Sequence, residues 1–184
     1  VATSGRAVTV GPVTAKLTKA AADALNQAFG TTAFAEGLTI GTATVVNALI
    51  AAWDAKYTYM FWRPVTAIRA GDSDGNGGTE PDPAWTPFIA TPPHPEYPAA
   101  HTTVGGSVLG FYTVWFGTDR FPLRFTGNGG AVRDYTCARE IHAEEANARV
   151  WGGMHWRNST EVGTTLGRRV GRYTARHLLK PLDD

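Results

Sequence analysis

The chain has 184 residues, of which 43% are apolar and 18% are charged, and its formal net charge is +1 at pH 7. This length suits one domain with a hydrophobic core, and the composition lacks the low hydrophobicity and high charge of a disordered protein. The small net charge gives no overall field for nucleic acid or an acidic membrane surface, so neither is expected as a partner. The single cysteine, Cys137, excludes an intrachain disulfide and a cysteine-based metal cluster.

The longest uncharged run, Thr102–Thr118, is shorter than the roughly 20 apolar residues of a spanning helix. Because it also contains several Ser, Thr and Gly residues, we expect a buried helix of a soluble protein. The small, polar start Val1–Val10 does not resemble a signal peptide. We expect a mature product or a piece of a longer chain, with a secreted location slightly favoured over a cytoplasmic one.

Apolar residues at helical spacing recur along most of the chain. Pro64 and Gly152-Gly153 end two of the helical patterns, and Asn158 with Glu161 resembles a capping box. Strand signals are weak, and the expected fold class is all-α, a helical bundle in one domain. The predicted helices are Leu17–Phe29, Thr42–Trp62, Pro98–Phe116, Ala131–Val150 and Asn158–Leu179, and Arg120–Gly130 is predicted to be a loop.

The segment Gly71–Pro98 is rich in proline and glycine and is predicted to be a long loop across one end of the bundle. Loops of this length in compact domains are usually functional. Asp72, Asp74 and Asn76 match the first half of a calcium-binding EF-hand loop, but Pro83 occupies the position of the bidentate Glu. We expect a turn stabilised by Asp and Gly. A looser calcium site is the alternative.

Three segments place cations or imidazoles near predicted helix boundaries. Lys56 and Arg63 are seven residues apart, which predicts two turns on one helix face, with aromatic residues between them. A pair of surface cations with buried stems is the alternative. His101 follows Pro98 near a helix N-terminus, where unpaired N–H groups favour an anion. A structural histidine is the alternative there.

The third segment places Arg149 at one helix end and His155 just before the next helix. The turn between them contains Gly152 and Gly153, and glycine lets backbone N–H groups approach a bound anion closely. We therefore expect cations, imidazoles and backbone amides to surround an oxyanion.

Together the segments form an ordered set: Lys-x6-Arg-Pro, then Pro-x-x-His, then Arg-x5-His. This set resembles the vanadium-dependent haloperoxidases and the related type 2 phosphatidic acid phosphatases, including bacterial class A acid phosphatases. The resemblance extends from about Trp53 to Leu179 and is nearest to the soluble haloperoxidase branch. The stretches that carry it are Trp62-Arg-Pro-Val-Thr-Ala-Ile-Arg69, Pro83-Ala-Trp-Thr-Pro87, Pro92-Pro-His-Pro-Glu-Tyr-Pro98 and Arg149-Val-Trp-Gly-Gly-Met-His155-Trp-Arg157.

The resemblance implies a fold and a set of roles. The fold is a helical bundle of the vanadium haloperoxidase and acid phosphatase type. His155 would be the axial ligand of vanadium, or the phosphorylated nucleophile of a phosphatase, and His101 the acid–base residue. The groups that would hold the oxygens of vanadate or phosphate are Lys56, Arg63, Arg149 and the backbone N–H of Ala100. Trp53 and His94 match the halide pocket, with His94 resembling bromide-using relatives.

Two positions depart from the pattern of these families. Their usual Pro-Ser-Gly-His reads Pro98-Ala99-Ala100-His101 here, which removes a Ser hydroxyl. Their last motif usually carries Asp four residues after the ligand histidine, where this chain has Ser159. That Asp would orient the imidazole, so the orientation of His155 must come from Ser159, a carbonyl or another residue.

Three functions remain open. The first is a vanadium-dependent haloperoxidase that uses hydrogen peroxide, a halide and a small organic substrate. The second is an acid phosphatase with a phosphohistidine intermediate on the same site, and the third is a non-catalytic relative that binds an oxyanion. In each case neighbouring cations should lower the pKa of His101 and keep it neutral.

The chain is short for this family. In some relatives a further acidic residue pairs with the Arg of the last motif, and that residue would lie in the part of the family fold that this sequence does not include. We expect this chain to be the active-site-bearing C-terminal part of a longer fold. A second chain or a homo-oligomer would complete the bundle. Gly163, Gly167 and Gly171 recur every four residues and predict close packing in the bundle or at a subunit interface.

Overall fold

The computed structural model describes residues 8–10, 13–15, 31–126 and 130–178. The helix predicted over Leu17–Phe29 lies outside these residues. Within them the fold is dominated by helices, which confirms the all-α prediction. The elements in chain order are β1 (Val8–Val10), β2 (Val13–Ala15), α1 (Thr31–Tyr59), α2 (Pro64–Arg69), a 3-10 turn (Gly71–Ser73), α3 (Ala100–Trp115), β3 (Leu123–Thr126), β4 (Val132–Tyr135), α4 (Ala138–Trp151) and α5 (Arg157–His177).

Helix α1 begins earlier than the apolar pattern suggested and ends before Arg63. The chain leaves the helix at Met60, whose φ of 47° lies in the left-handed region. Arg63 has extended backbone and is the N-cap of α2, with Pro64 in the first turn of that helix. The prediction that Lys56 and Arg63 share one helix face was therefore wrong.

A β-hairpin occupies a segment for which the sequence predicted a loop and a helix. Strand β3 pairs antiparallel with β4, and Arg124 faces Asp134 in the register. Their side chains form an exposed ion pair, with Arg124 Nε 2.6 Å from Asp134 Oδ1. The strand β4 is stabilised by side-chain pairs with another strand. The helical spacing over Ala131–Val150 therefore predicted a helix wrongly for the first residues of that range. A second antiparallel hairpin joins β1 to β2.

The closest helix packing in the described part joins α3 to α5. A Cβ added at Gly163 would overlap the carbonyl oxygen of Ala99, and one at Gly167 or Gly171 would overlap the carbonyl of Thr103 or Ser107. The backbones of the two helices therefore touch, which only glycine permits. The predicted Gly ridge packs within the bundle, and helix α1 packs against both α3 and α5.

The long Pro/Gly-rich segment crosses the end of this bundle and is held there by backbone hydrogen bonds. Glu96 N donates to Phe61 O at 2.9 Å, and Ile89 N donates to Gly152 O at 3.2 Å. Near its start, the Asp74 and Asn76 side chains accept backbone N–H bonds two residues ahead, at 2.8 and 3.1 Å. These bonds make the turn that the sequence predicted.

No helix in the described ranges is both long and apolar enough to cross a membrane. The uncharged run beginning at Thr102 forms most of α3, whose buried residues face the other helices.

Candidate functional site

Lys56 lies near the end of α1 and is fully buried. Its Nζ donates to the carbonyl oxygens of Pro95 and Glu96, at 2.8 and 2.9 Å. Burial, followed by the charge of Arg63, lowers the Lys56 pKa to about 8. The ammonium group thus remains mostly protonated at neutral pH, and the alternative of a surface cation was wrong.

Arg63 reaches the same place from the chain segment between α1 and α2, and its side chain is also buried. Its Nε donates to His94 O at 3.1 Å, and its Nη1 donates to Met154 O at 2.9 Å. The same Nη1 lies 3.1 Å from Nε2 of His155. Because a guanidinium has no acceptor, Nε2 of His155 accepts this bond and carries no proton.

His155 precedes α5 and is 3% exposed. Its Nδ1 lies 2.7 Å from Oε1 of Glu96, a carboxylate that is itself fully buried. Nδ1 therefore holds the ring proton, and the lone pair of Nε2 points into the cluster of cations. Burial is the largest cause that lowers the pKa of His155 to about 4, so the ring is neutral at pH 7.

The sequence motifs gave Glu96 no functional role, although the structure places it at the site. Besides His155, it accepts hydrogen bonds from Trp156 N at 3.0 Å and from Ser159 Oγ at 2.5 Å. Ser159 thus acts on His155 only through Glu96. The available signal was a lone acidic residue between His94 and His101 in a Pro-rich loop, but nothing in its spacing indicated His155 as the partner.

His94 and Trp53 form one wall of the cluster. The ring centroids of His94 and Trp53 are 5.0 Å apart, and His94 Nδ1 lies 3.1 Å from Arg63 Nη2. Lys56 Nζ is 6.0 Å from the centroid of the Trp53 ring. Burial is the first cause that lowers the pKa of His94. Its Nδ1 also lies 3.2 Å from the carbonyl oxygen of Pro95. The structure therefore brings both predicted pocket residues to the cationic cluster.

His101 lies in the first turn of α3 and keeps contact with solvent. Its pKa is lowered first by partial burial of the ring and then by the charges of Arg149, His94, Lys56 and Arg63. The predicted direction is confirmed, although burial ranks above the neighbouring cations. The N–H groups of Ala100 and His101 are the first of α3, so they have no carbonyl acceptor inside that helix.

Arg149 lies in the last turn of α4 and faces His101 electrostatically. Its Nη2 donates to Met154 Sδ at 3.1 Å, while its Nε is buried and has no hydrogen-bond partner among the described residues. Met154 is a weak acceptor, so the guanidinium keeps most of its capacity to donate. The acidic group that acts on Arg149 is Glu145, one helical turn earlier on α4.

The Gly152-Gly153 turn has a different role from the predicted one. The N–H groups of Gly152 and Gly153 donate to Ala148 O and Val150 O, both at 2.9 Å. These amides are therefore used to close α4. Gly153 has φ of +74°, and a Cβ there would lie 3.0 Å from Trp85 and Pro87 in the long loop. Glycine is required for this turn and for the close approach of the loop.

The arrangement combines three cations with three imidazoles of lowered pKa, and His155 presents an unprotonated nitrogen among the cations. Such a set suits a tetrahedral or trigonal-bipyramidal oxyanion, since guanidinium forks and an ammonium group neutralise its oxygens. The Nε2 lone pair of His155 suits a bond to the central atom of that anion.

The sequence and the fold are similar to those of known proteins. The family model of the VCPO second helical-bundle domain matches residues 37–184. The vanadium chloroperoxidase of Curvularia inaequalis is 29% identical over 97 residues, which cover 47% of this chain and 15% of that protein.

Two solved structures are similar in fold. The first bacterial vanadium-dependent iodoperoxidase superposes with a TM-score of 0.68 at 29% identity, covering 79% of this chain and 34% of that one. The holo-type bacterial vanadium-dependent chloroperoxidase gives a TM-score of 0.69 at 20% identity, covering 84% and 38%, and this match shows the fold alone. The chain thus spans well under half the length of the proteins it matches. Because the family model covers most of its residues, the chain belongs to the vanadium haloperoxidase superfamily, where it corresponds to the second helical-bundle domain of the VCPO type.

Proposed function

We propose that this chain holds vanadate and acts in a vanadium-dependent haloperoxidase that oxidises halide with hydrogen peroxide. The observation that carries the proposal is the unprotonated Nε2 of His155, which lies 3.1 Å from Arg63 in a buried cluster that includes Lys56. A neutral imidazole nitrogen is a good metal ligand, and its second nitrogen is oriented by Glu96 as in other carboxylate–histidine metal sites.

The donor set fits vanadate. Nε of Arg149 is buried and lacks a partner within the part of the chain that the structure describes, and the first N–H groups of α3 have no acceptor inside that helix. Lys56, Arg63, Arg149 and the N–H of Ala100 would hold the oxygens, and His155 would bind the vanadium. Vanadium(V) when bound would act as a Lewis acid toward peroxide without changing oxidation state. Phosphate has nearly the same shape and would occupy the same residues.

His101 would accept and return protons at its imidazole, because its lowered pKa leaves the ring neutral near pH 7. Trp53 and His94 would form the halide pocket, and the resemblance of His94 to bromide-using relatives favours bromide. A small organic molecule would then take up the oxidised halogen.

The test compares two activities of the full chain. Bromination of phenol red is measured with vanadate, hydrogen peroxide and bromide, and then with chloride or iodide in place of bromide. Hydrolysis of p-nitrophenyl phosphate is measured without vanadate. We expect bromination that His155→Ala abolishes, and that His177→Gln, at the exposed end of α5, leaves unchanged.

Phosphate-ester hydrolysis that vanadate inhibits, with no bromination, would instead establish the acid phosphatase. Binding of vanadate without either activity would establish the non-catalytic relative, which the loss of the Ser hydroxyl at Ala99 favours. We also propose that a further helical segment or a second copy of the chain completes the fold, since the chain covers only 34% of the iodoperoxidase structure. Light scattering of the chain in solution tests for the second copy.

A further inference from the structure

Glu145 is a half-buried acid that the proposed chemistry does not yet use. It lies on α4, and its Oε2 is buried without a hydrogen-bond partner in the described part of the chain. Burial raises the pKa of Glu145 to about 7, and the charge of Arg149 opposes that rise only in part. At neutral pH this carboxyl group is therefore protonated in part of the molecules and ionised in the rest.

The position of this carboxyl group is fixed by a gap on α3. A Cβ added at Gly105 would overlap the carboxylate of Glu145, so the side chain fills the space that glycine leaves open. Gly105 lies one helical turn after His101 on α3, and Glu145 lies one turn before Arg149 on α4. The carboxyl group thus sits one turn behind the place where His101 and Arg149 face each other.

Charged and titratable groups lie on each element packed on α4. Along α4 itself, Arg149 lies one turn after Glu145 and His142 lies three residues before it. On α3 the contact of Glu145 is Gly105, and His101 lies one turn before that glycine. From α5, Arg168 acts on His142, which lines a cavity of about 460 Å³ between α4 and α5. From β4, Arg133 bonds Glu144 at 3.0 Å on the surface. Arg149 is therefore the cation that acts directly on Glu145.

We propose that Glu145 stores a proton behind the oxyanion site, and that binding of an oxyanion beside Arg149 is accompanied by uptake of a proton at its carboxylate. The inference rests on the proposed oxyanion site. The positive charge of Arg149 favours the ionised form of Glu145. An anion near Arg149 offsets that charge, so the carboxylate becomes less stable and binds a proton. Oxyanion affinity should accordingly fall as the pH rises through the titration of Glu145.

The stored proton has a use in the proposed reaction. Oxidation of bromide follows H2O2 + Br⁻ + H⁺ → HOBr + H2O. Peroxide is reduced as its O–O bond breaks, bromide is oxidised as a Br–O bond forms, and the added proton ends in water. Glu145 acts electrostatically on Arg149, so its stored proton would be held behind a group of the proposed oxyanion site and could be passed toward His101.

The experiment measures proton uptake on binding of sulfate, a tetrahedral anion that does not titrate near pH 7. Calorimetric titrations of the full chain are made at pH 6 to 8 in buffers with different ionisation enthalpies. Because Glu145 is already about half protonated at its pKa of about 7, we expect it to take up at most about half a proton at pH 7 and more between pH 7 and 8. Glu145→Gln should therefore take up fewer protons than wild type, while Glu144→Gln, the neighbouring surface acid, should match wild type. Any contribution from Lys56 or His101 would be common to all three proteins.

Gly105→Ala gives a second variant, which displaces the carboxyl group but keeps it titratable. Its proton uptake should move to a lower pH because the displaced acid is less buried. Circular dichroism confirms that each variant is folded. Equal uptake by wild type and Glu145→Gln, with sulfate still bound, would overturn this inference alone. Failure of sulfate to bind, or binding that Arg149→Gln does not weaken, would overturn the oxyanion site as well.

Discussion

Oε1 of Glu96 lies 2.7 Å from Nδ1 of His155, and neither side chain is more than 2% exposed. The carboxylate accepts the Nδ1 proton, so the other ring nitrogen is left unprotonated beside Arg63. Burial and the nearby cations keep the ring neutral in spite of this carboxylate. Glu96 therefore sets the tautomer of His155 rather than its charge, and it does what the missing Asp was expected to do.

Glu96→Gln should weaken vanadate binding. The amide keeps the shape of the side chain but accepts the Nδ1 proton less strongly, so His155 becomes less basic and less well oriented. Loss of such a partner typically lowers metal affinity about 10–100-fold. The dissociation constant for vanadate, measured by ⁵¹V NMR, checks this expectation. Glu80→Gln, an exposed change in the same loop, is the matched control. Unchanged affinity in Glu96→Gln would refute the role.

Ser159→Ala should destabilise the fold. The hydroxyl donates to Oε2 of Glu96 at 2.5 Å inside the core, and hydrogen bonds to charged groups contribute about 1.5–3 kcal/mol. We expect the free energy of unfolding in urea to fall by roughly that amount. Ser73→Ala removes an exposed hydroxyl that donates to Ala70 O and should change stability little. Equal stability of the two variants would contradict the interpretation.

Gly167→Ala adds a single methyl group and should strongly lower the free energy of unfolding. The added Cβ would overlap Thr103 O, where α3 and α5 touch, so the helices must separate. Overpacking of this kind costs about 1–3 kcal/mol or more. Gly77→Ala, where a Cβ meets no atom within 4 Å, is the control. Thermal melts of both variants measure the difference, and a similar midpoint for the two would show that the helix contact is looser.

The free energy of unfolding should decrease as the pH falls, because the folded chain holds His142 and His155 in their neutral form. Burial, and then Arg168, lowers the pKa of His142 from 6.5 to about 4, so the unfolded chain binds this proton at a higher pH than the folded chain. Stability from His142 is therefore present above pH 6.5 and is lost as the pH falls toward 4. His155 acts in the same direction.

His142→Gln should reduce this loss, since glutamine does not titrate. We expect the difference in unfolding free energy between neutral and acidic pH to shrink by an amount on the order of 1 kcal/mol. His177→Gln, at the exposed end of α5, should leave the difference as in wild type. If His142→Gln loses as much unfolding free energy at acidic pH as wild type does, other groups cause that loss. Urea titrations at several pH values give the measurement.

The helices were largely predictable because their signals are local. Apolar spacing, the proline before α3 and the glycines after α4 each act within a few residues, and they placed α3 and α5 to within a few positions. The β3–β4 hairpin was missed because its stability comes from pairing between strands, which no local helical period reports. The motif residues Lys56, Arg63, His94 and His155 were also identified from the sequence, and the structure brings them together.

The sequence by itself determined which residue types are available at the site, because the order of its Lys, Arg and His motifs resembles the pattern from which an oxyanion site was predicted. Only the tertiary structure decided how they meet. Arg63 reaches Lys56 from outside α1 because the chain turns at Met60. Glu96 orients His155 across 59 residues because the long loop is held against the turn before α5. Oε2 of Glu145 is buried because Gly105 on another helix leaves room for the carboxyl group. Burial and partner choice of this kind depend on packing between distant segments, which sequence spacing does not encode.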